Sequence, residues 1–473
     1  MGRRFLVLSD LHLCDVEDHA DDWMAYKSSR FVFDKEVAAL LRRFTEDAES
    51  DGDERVLVFN GDLVDFDLVA TCPEPAPWPV TRSERRRGLN ATEEKSAWKL
   101  ERVLADHPLF VESLTRFLLA GHRLIYVLGN HDQEFHFPKV RSTLISALQA
   151  EASKLNETLK DDCIRFEPWF YLEPGEVYIE HGQQYDHYTS FRHLLDPTVQ
   201  ISGEERIALP MGNLSNRYLM TKMGFFNPFA SDYILSAFAY FWHWLSHYAF
   251  SRRSLAFVWF WGSLVVMGKL LRIRKRLLKK HVDQDKLLGE VADRFGMEPA
   301  TAQALQKLQQ VPITSRFFRI VREFWIDRVI FMIFWGGGTI ALALVPIPLW
   351  IKLMVPLTSF PLLLFIYEKA IEGESIFTIE SRLPQVARSI GALVPVQVVA
   401  FGHSHVPRLI PLSRDLVFVD TGTWAPITEA DPHKLAPGYR NYLELRFDDE
   451  KELTLRFDAW MLPDPKPARS KSA

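Results

Sequence analysis

Five short polar strings in this chain combine histidine, aspartate and asparagine, the residue types that bind metal ions and move protons. In chain order they are Asp10-Leu11-His12, Gly61-Asp62-Leu63-Val64-Asp65, Gly129-Asn130-His131-Asp132, His181-Gly182 and Gly402-His403-Ser404-His405. Imidazole nitrogens and carboxylate oxygens together suit divalent ions such as Mn, Fe and Zn. One string alone would be weak evidence, because short polar strings recur by chance and Gly-Asn is also ordinary turn chemistry. Five of them predict a metal site, provided that the fold brings them together.

Each string follows a short apolar run, and these runs are Phe5–Leu8, Val56–Phe59, Leu124–Leu128, Val177–Glu180 and Val396–Phe401. Brief β-branched runs bounded by turn residues are typical of buried strands. Longer patterns at Lys35–Glu46 and Glu94–Ala105 indicate helices between the early strands. Strands alternating with helices predict an α/β layered domain, in which ligands bind beyond the carboxyl ends of the strands. Every polar string lies at such an end.

The strand pattern stops for a long aromatic and apolar segment and then returns after Val396. The returning runs include Asp415–Asp420, Tyr442–Phe447 and Glu452–Phe457. We therefore predict one domain split by an insertion. Its parts are a first catalytic part at 1–204, a helical insertion at 205–376, a second catalytic part at 377–462 and a disordered tail at 463–473.

The five strings, in this order, resemble the signature of the calcineurin-like metallophosphoesterase superfamily. The resemblance covers about half of the chain, and it implies a layered α-β-β-α sandwich interrupted by the hydrophobic insertion. The start at Asp10–Cys14 and the compact His181-Gly182 string are most similar to the UDP-2,3-diacylglucosamine pyrophosphohydrolases. Those enzymes carry arginine at the position of His131, and their insertion is far shorter.

The resemblance implies a dinuclear centre with manganese as the expected metal and iron or zinc as alternatives. Asp10, His12 and His405 would hold one ion. Asn130, His181 and His403 would hold the other, and Asp62 would bridge the two. A hydroxide shared by the two cations would attack phosphorus in line, because bound cations lower the pKa of water.

The resemblance also assigns catalytic roles to two residues that are not ligands. His131 would protonate the leaving oxygen or stabilise its charge, and Asp65 would fix the tautomer of His131. Asn130 could touch a phosphate oxygen without adding charge repulsion. Three further residues in the segment after His181 could bind substrate phosphate or simply lie in a solvated loop, and these are His187, Arg192 and His193.

The insertion contains four apolar stretches within 233–367 that predict contact with a membrane. Val329–Val345 and Leu349–Tyr367 flank a Pro-Ile-Pro turn and form a candidate spanning hairpin, since a span needs roughly 17–25 apolar residues. Tyr233–Ser251 and Ser254–Gly268 are rich in aromatic residues and favour the lipid–water interface. The basic run Lys269–Lys280 would attract anionic lipid. The alternative is a soluble helical lid.

Composition restricts the function further. A net charge of -5 over 473 residues gives no support for a nucleic-acid partner. Three irregularly spaced cysteines suggest a reducing compartment, and the N-terminal apolar run is too short for a signal peptide. Both halves of the site must lie on one side of a bilayer, so the number of crossings must be even. We therefore expect a protein on the cytoplasmic face, held by an integral hairpin or peripherally.

These features predict a phosphoesterase or pyrophosphatase that acts on an amphiphilic or lipid-linked substrate. One alternative is a phosphodiesterase for a soluble nucleotide that is anchored only for location. Another is a catalytically inactive membrane scaffold, which would be expected to have lost ligands, although none of the expected ligand residues is missing here.

Overall fold

A computed structural model describes residues 2–19, 23–224, 227–229, 255–324, 326–370, 379–429 and 434–461. The strands are β1 (Arg3–Leu8), β2 (Glu54–Asn60), β3 (Arg123–Val127), β4 (Ile164–Glu167), β5 (Phe170–Glu173), β6 (Val177–Glu180), β7 (Thr198–Ile201), β8 (Glu204–Ile207), β9 (Val398–Phe401), β10 (Arg408–Pro411), β11 (Val417–Asp420), β12 (Ile427–Thr428), β13 (Leu435–Ala436), β14 (Asn441–Phe447) and β15 (Leu453–Ala459). Every apolar run that the sequence marks as a strand overlaps one of them.

The α-helices are α1 (Asp34–Asp51), α2 (Arg82–Arg87), α3 (Glu93–Asp106), α4 (Pro108–Leu119), α5 (Pro138–Lys154), α6 (Met211–Tyr218), α7 (Leu255–Leu277), α8 (Gln284–Phe295), α9 (Pro299–Lys307), α10 (Phe317–Glu323), α11 (Ile326–Leu344), α12 (Leu349–Ala370) and α13 (Ile379–Leu393). The two helices expected from the early polar-apolar patterns correspond to α1 and α3.

Two sheets form the centre of the fold. The first has the strand order β15-β14-β1-β2-β3-β4, and the second has the order β10-β11-β9-β6-β5. Strands β1 to β4 run parallel, as do β6, β9 and β11. In both sheets the carboxyl ends of neighbouring parallel strands therefore lie side by side, which is where a site assembled from strand ends must form.

The alternation of side chains along each strand explains why the sheets stack. Phe5 and Val7 of β1 pack with Val398 and Ala400 of β9 in an apolar layer between the two sheets. The intervening Leu6 and Leu8 instead join the larger core that includes the helices, because successive side chains point to opposite faces of a sheet. The result is a layered α-β-β-α sandwich, so the predicted fold class is confirmed.

Strands on either side of the helical segment belong to the same sheets. Strand β1 pairs with β14 in antiparallel fashion, and β6 pairs with β9 in parallel fashion. The helices α6 to α13 occupy the chain between β8 and β9. The domain boundaries drawn from the sequence remain predictions, and the proposed tail at 463–473 lies outside the described residues.

Helices α11 and α12 expose most of their apolar side chains. Each contains a stretch of 19 residues that is long and apolar enough to cross a membrane. The mean hydropathy of the two stretches is 1.5 and 1.9, and neither is buried. The two helices contact each other through Phe331, Trp335 and Phe360. They correspond to the hairpin predicted from the sequence, with a short connection at residues 345–348.

Helix α7 contains most of two stretches that the sequence treats separately, the apolar 254–268 and the basic 269–280. One side of its second half is buried, through Val266, Leu270 and Ile273. The stretch 233–251, which was expected to lie at a lipid interface, falls outside the described residues.

Candidate metal centre

The carboxyl ends of five strands carry the polar strings to one place between the two sheets. Strands β1, β2 and β3 end next to each other in the first sheet, and β6 and β9 end next to each other in the second. Three clusters of potential ligand atoms form there, each with its atoms within 4.8 Å of one another. The clusters are Asp10 with His12 and His405, Asp62 with His181 and His403, and His12 with Asp65 and His131.

The first cluster brings three ligand atoms face to face. The Nε2 atoms of His12 and His405 lie 3.1 Å apart, and Asp10 Oδ1 lies 3.2 Å from His405 Nε2 and 3.8 Å from His12 Nε2. His405 Nδ1 donates to the Phe229 carbonyl at 2.6 Å, and His12 Nδ1 lies 3.3 Å from the Asp65 carboxylate. These bonds place the imidazole hydrogens on Nδ1, so both Nε2 lone pairs point at the carboxylate.

The second cluster repeats this arrangement at the next strand ends. His181 Nδ1 donates to the Asn60 carbonyl at 2.8 Å, which directs the Nε2 atom at Asp62 Oδ2, 3.1 Å away. His403 Nε2 lies 3.4 Å from Asp186 Oδ2, so its Nδ1 is the atom left for a cation. Asp62 is also 3.9 Å from His12, and it therefore stands between the two clusters.

Asn130 contributes a third kind of potential ligand atom, an amide oxygen. Its Oδ1 atom is buried and has no hydrogen-bond partner among the described residues. A buried amide oxygen without a partner costs free energy unless an ion or water binds it. Lone pairs that converge on carboxylates, together with this oxygen, fit divalent cations of the kind that nitrogen and oxygen ligands select.

The electrostatics of the centre favour positive charge. Burial lowers the pKa of His181, but Asp62 and Asp10 outweigh burial and raise that pKa to about 10. Burial raises the pKa of Asp62, yet His181 and His131 hold it well below its usual value. The carboxylates that hold this proton would favour a metal cation in the same way, because the cation and the proton compete for the same lone pair.

The backbone is strained at the candidate ligands. Asp10, His12, Asp62, His403 and His405 all have positive φ, between 50° and 68°. Left-handed backbone is uncommon for residues other than glycine, costs of order 1–3 kcal/mol per residue and concentrates at functional sites. Half of the ten such residues in the described chain are these five. The strain therefore marks the same residues that the sequence motifs mark.

Two motif glycines are required by close approach. A Cβ atom on Gly129 would lie 2.2 Å from Asp62 Oδ1, and one on Gly402 would lie 2.5 Å from Asp10 Oδ2. Glycine is the residue that lets the backbone pass so near to a ligand oxygen. Both glycines belong to the polar strings identified from the sequence.

His131 lies beside the two clusters and is paired with carboxylates. Its Nδ1 atom is 3.1 Å from Asp65 Oδ2 and 3.5 Å from Asp67 Oδ2. Burial lowers the pKa of His131, but Asp65 and Asp62 together raise it well above its usual value. The imidazole is thus oriented through Nδ1, while Nε2 faces away from Asp65 and can act as an acid.

Two of the three residues proposed to bind substrate phosphate, His187 and Arg192, contact the helical segment. The His187 carbonyl accepts from Ile313 N at 3.1 Å, and Arg192 Nη1 donates to Ser315 Oγ at 3.4 Å. His193 has a lowered pKa, first through burial and then through Arg192. Their role in substrate binding stays a prediction.

Several residues at the centre were missed by the sequence analysis. Thr189 Oγ1 lies 3.1 Å from His403 Nε2, next to Asp186. On the opposite side, Asn213 and Asn216 of α6 reach Asn130 and His131. Asp186 and Thr189 lie in the same segment as His187. Which polar residues of this segment reach the centre depends on the tertiary structure and cannot be read from the local sequence. No sequence pattern marks Asn213 and Asn216 as site residues, because asparagine occurs in helices for many structural reasons.

Comparison with known proteins agrees with this geometry. Residues 3–212 match the family model described as calcineurin-like phosphoesterase. No curated protein matches the chain. The chain therefore contains a calcineurin-like phosphoesterase domain, which indicates a hydrolase acting on phosphoester bonds.

Proposed function

We propose that this calcineurin-like phosphoesterase domain hydrolyses a phosphoester or phosphoanhydride bond of an amphiphilic substrate, using two divalent cations, with manganese as the expected metal. The observation that carries the proposal is the pair of clusters joined by Asp62, each with imidazole lone pairs aimed at a carboxylate. Two divalent ions held there would neutralise phosphoryl charge and activate a water nucleophile for in-line attack.

The residues of the chain divide the remaining tasks. Asp10, His12 and His405 form one binding position, and His181, His403 and the Asn130 oxygen form the other. His131 supplies a proton to the leaving oxygen from Nε2, while Asp65 holds Nδ1. Donation by a positioned acid contributes roughly 10²–10⁴-fold to a rate.

The exposed hairpin of α11 and α12 supports an amphiphilic substrate and a membrane location. Phe334 is 76% exposed, Leu349 70% and Leu357 69%. Soluble proteins rarely leave so large an apolar patch in water, and such patches mark membrane or ligand contacts. An acyl-bearing substrate would share this environment, so its phosphate would reach the metal centre from the bilayer surface.

Helix α7 supports contact with the lipid–water interface beside the hairpin. Its exposed side carries Phe257, Phe260, Trp261 and Leu264, at the spacing of one helical face. Exposed cations follow on the same helix at Arg272, Lys275 and Arg276, and Lys279 comes just after its end. Aromatic rings favour the headgroup region and cations favour anionic lipid, so α7 would lie along the surface.

The two halves of the catalytic domain share one site, so they lie on one side of any bilayer. A hairpin crosses twice and returns the chain to its starting side. We propose the cytoplasmic face, in keeping with the three free cysteines.

The substrate class can be tested with three probes in the presence of Mn²⁺. These are bis-p-nitrophenyl phosphate, a soluble nucleotide diester and a UDP-sugar that carries acyl chains, the class to which the similarity at Asp10–Cys14 points. We expect hydrolysis of all three, with the highest kcat/KM on the acylated compound in vesicles. The highest kcat/KM on the nucleotide would favour the second candidate function, a soluble phosphodiesterase.

A deletion separates catalysis from substrate delivery. Tyr367 donates to Asp327, so the hairpin begins and ends at adjacent points and residues 328–366 can be replaced by a short Gly-Ser linker. We expect the variant to keep activity on the aryl diester and to lose at least tenfold on the acylated probe. Equal losses on both would contradict the role of the hairpin. Metal binding without hydrolysis of any probe would indicate an inactive scaffold.

A further inference from the structure

Helix α6 begins at the end of the segment that matches the family and continues beyond it to the metal centre. The match ends at residue 212, two residues into α6, and Asn213 and Asn216 follow it on the same helix. Asn213 is fully buried, while Asn216 is partly buried. Both side chains point at catalytic motif residues rather than at solvent.

Both polar atoms of the Asn213 side chain form hydrogen bonds. Its Nδ2 donates to Asp67 Oδ2 at 2.7 Å and to the Asn130 carbonyl at 2.8 Å, and its Oδ1 accepts from Asn130 Nδ2 at 3.4 Å. The last bond is long, but it favours one orientation of the Asn130 amide, because Asn213 Nδ2 is committed to Asp67 and Asn213 Oδ1 can only accept. With Nδ2 committed to Asn213, Oδ1 must point into the centre, where it has no other partner among the described residues.

Asn216 lies next to His131, the proposed acid. Its Nδ2 lies 3.5 Å from His131 Nε2, the nitrogen opposite the one paired with Asp65. A contact of this length does not hold the imidazole tightly. It does place an amide and an imidazole side by side, so that both can reach one substrate oxygen.

We propose that α6 completes the active centre, an inference that rests on the proposed function. Asn213 is a positioning residue that orients Asn130 for the second cation. Asn216 is a substrate-contacting residue that donates to the leaving-group oxygen beside His131. The centre would therefore be finished by a helix of the long segment that carries the apolar hairpin.

The attachment of α6 explains how its position is kept. Arg217 is almost completely buried and donates to the Gly88 carbonyl at 2.7 Å. Lys269 of α7 lies over the Tyr218 ring, 4.3 Å from its centroid. A Cβ atom on Gly262 of α7 would lie 2.6 Å from Leu219, so the two segments meet closely. The face of α6 away from the metals thus rests on α7.

Metal titration tests the role of Asn213 without any assay of turnover. We expect Asn213→Ala to bind one Mn²⁺ as the wild type does and to bind the second about 10–100-fold more weakly, since residues behind a ligand typically contribute that much to affinity. Asn213→Ser serves as the second variant if the first does not fold, and its hydroxyl should restore part of the loss. A folded Asn213 variant with two ions at wild-type affinity would overturn this role.

Leaving-group dependence tests the role of Asn216. Loss of one donor to a developing oxyanion costs about 10²–10³ in kcat, and the loss should grow with the pKa of the leaving alcohol. We expect Asn216→Ala to lower kcat by about 100-fold on an alkyl phosphodiester but far less on the p-nitrophenyl diester, with metal stoichiometry unchanged. Equal losses on the two esters would overturn the contact.

Orthophosphate provides a readout that needs no turnover. One of its four oxygens takes the leaving-group position, so Asn216→Ala should weaken phosphate binding to the manganese-loaded protein severalfold. Ser215→Ala, on the same helix, is the matched control and should leave metal and phosphate affinity unchanged. If the wild type hydrolyses no phosphoester, the proposed function fails, while these two binding measurements still decide the role of α6.

Discussion

The Nε2 atoms of His12 and His405 face each other at 3.1 Å although 393 residues separate them in the chain. Each imidazole uses its Nδ1 for another partner, the Asp65 carboxylate and the Phe229 carbonyl. Two lone pairs at this distance repel unless a cation or a proton lies between them. The folded chain therefore builds a position for positive charge before any ion arrives.

Metal affinity should rise with pH. The metal-free pKa of His181 is about 10, so a proton occupies Nε2 until the pH passes that value and must leave when a cation binds. Between pH 6.5 and 9 the apparent Kd for Mn²⁺ should fall about tenfold per pH unit for each proton released. Titration calorimetry in buffers of different ionisation enthalpy measures both quantities.

The raised pKa of His181 also determines how the stability of the metal-free protein changes with pH. A folded pKa above the unfolded value near 6.5 stabilises the metal-free protein fully below that pH, and the stabilisation is lost as pH rises through 10. Addition of Mn²⁺ should therefore raise Tm more at pH 9 than at pH 6.5. A Tm gain that is independent of pH would show that His181 does not exchange its proton for the metal.

Replacement of His131 should remove acid catalysis without removing the metals. We expect His131→Gln to lower kcat by roughly 10²–10⁴-fold while two Mn²⁺ ions still bind. His19→Gln, at an exposed histidine paired with Glu17, is the control and should match the wild type. Loss of an ion in the His131 variant would instead make this histidine a ligand, as its cluster with His12 and Asp65 permits.

Gly129→Ala should damage the centre through steric contact. The added Cβ would lie 2.2 Å from Asp62 Oδ1, and overpacking of this kind costs typically 1–3 kcal/mol. Gly289→Ala is the matched control, because nothing lies within 4 Å of its Cβ position and alanine favours the helix by roughly 0.5–1 kcal/mol. Denaturant unfolding should show opposite signs for the two variants, and metal affinity should fall only in the first.

Polar substitution of α12 should release the protein from membranes. Leu349, Leu353 and Leu357 are 62–70% exposed on one face of the helix. Replacing all three with glutamine should leave activity on the aryl diester unchanged, because their side chains are exposed and lie on a helix that supplies none of the candidate ligands. Flotation with vesicles of phosphatidylethanolamine and phosphatidylglycerol should recover much less of the variant. Equal recovery would contradict lipid contact by this face.

The sequence was most informative where local patterns determine structure. Short β-branched runs such as Val56–Phe59 are strands, and the motif strings at their ends converge because neighbouring parallel strands end at the same edge. The hairpin could be anticipated from apolar length and the Pro-Ile-Pro turn. In each case the information lies within a few consecutive residues.

The remaining features depend on contacts between distant segments. Nothing local to Asn213 or Asn216 shows that α6 lies against Asn130 and His131, because that contact follows from how α6 packs on α7 and on Arg87–Leu89. The positive φ of Asp10 and Asp62 was equally invisible, since aspartate adopts it only where the surrounding fold compensates the strain.

The parallel pairing of β6 with β9 also determines when activity can begin. On the ribosome, the apolar hairpin is synthesised before His403 and His405, so neither cation position can be complete when the hairpin is made. Strand β14, which covers one edge of β1, follows later still. Hydrolysis therefore cannot begin until β9 has been made, and a nascent chain cut short before β9 would carry the apolar hairpin without a complete cation position.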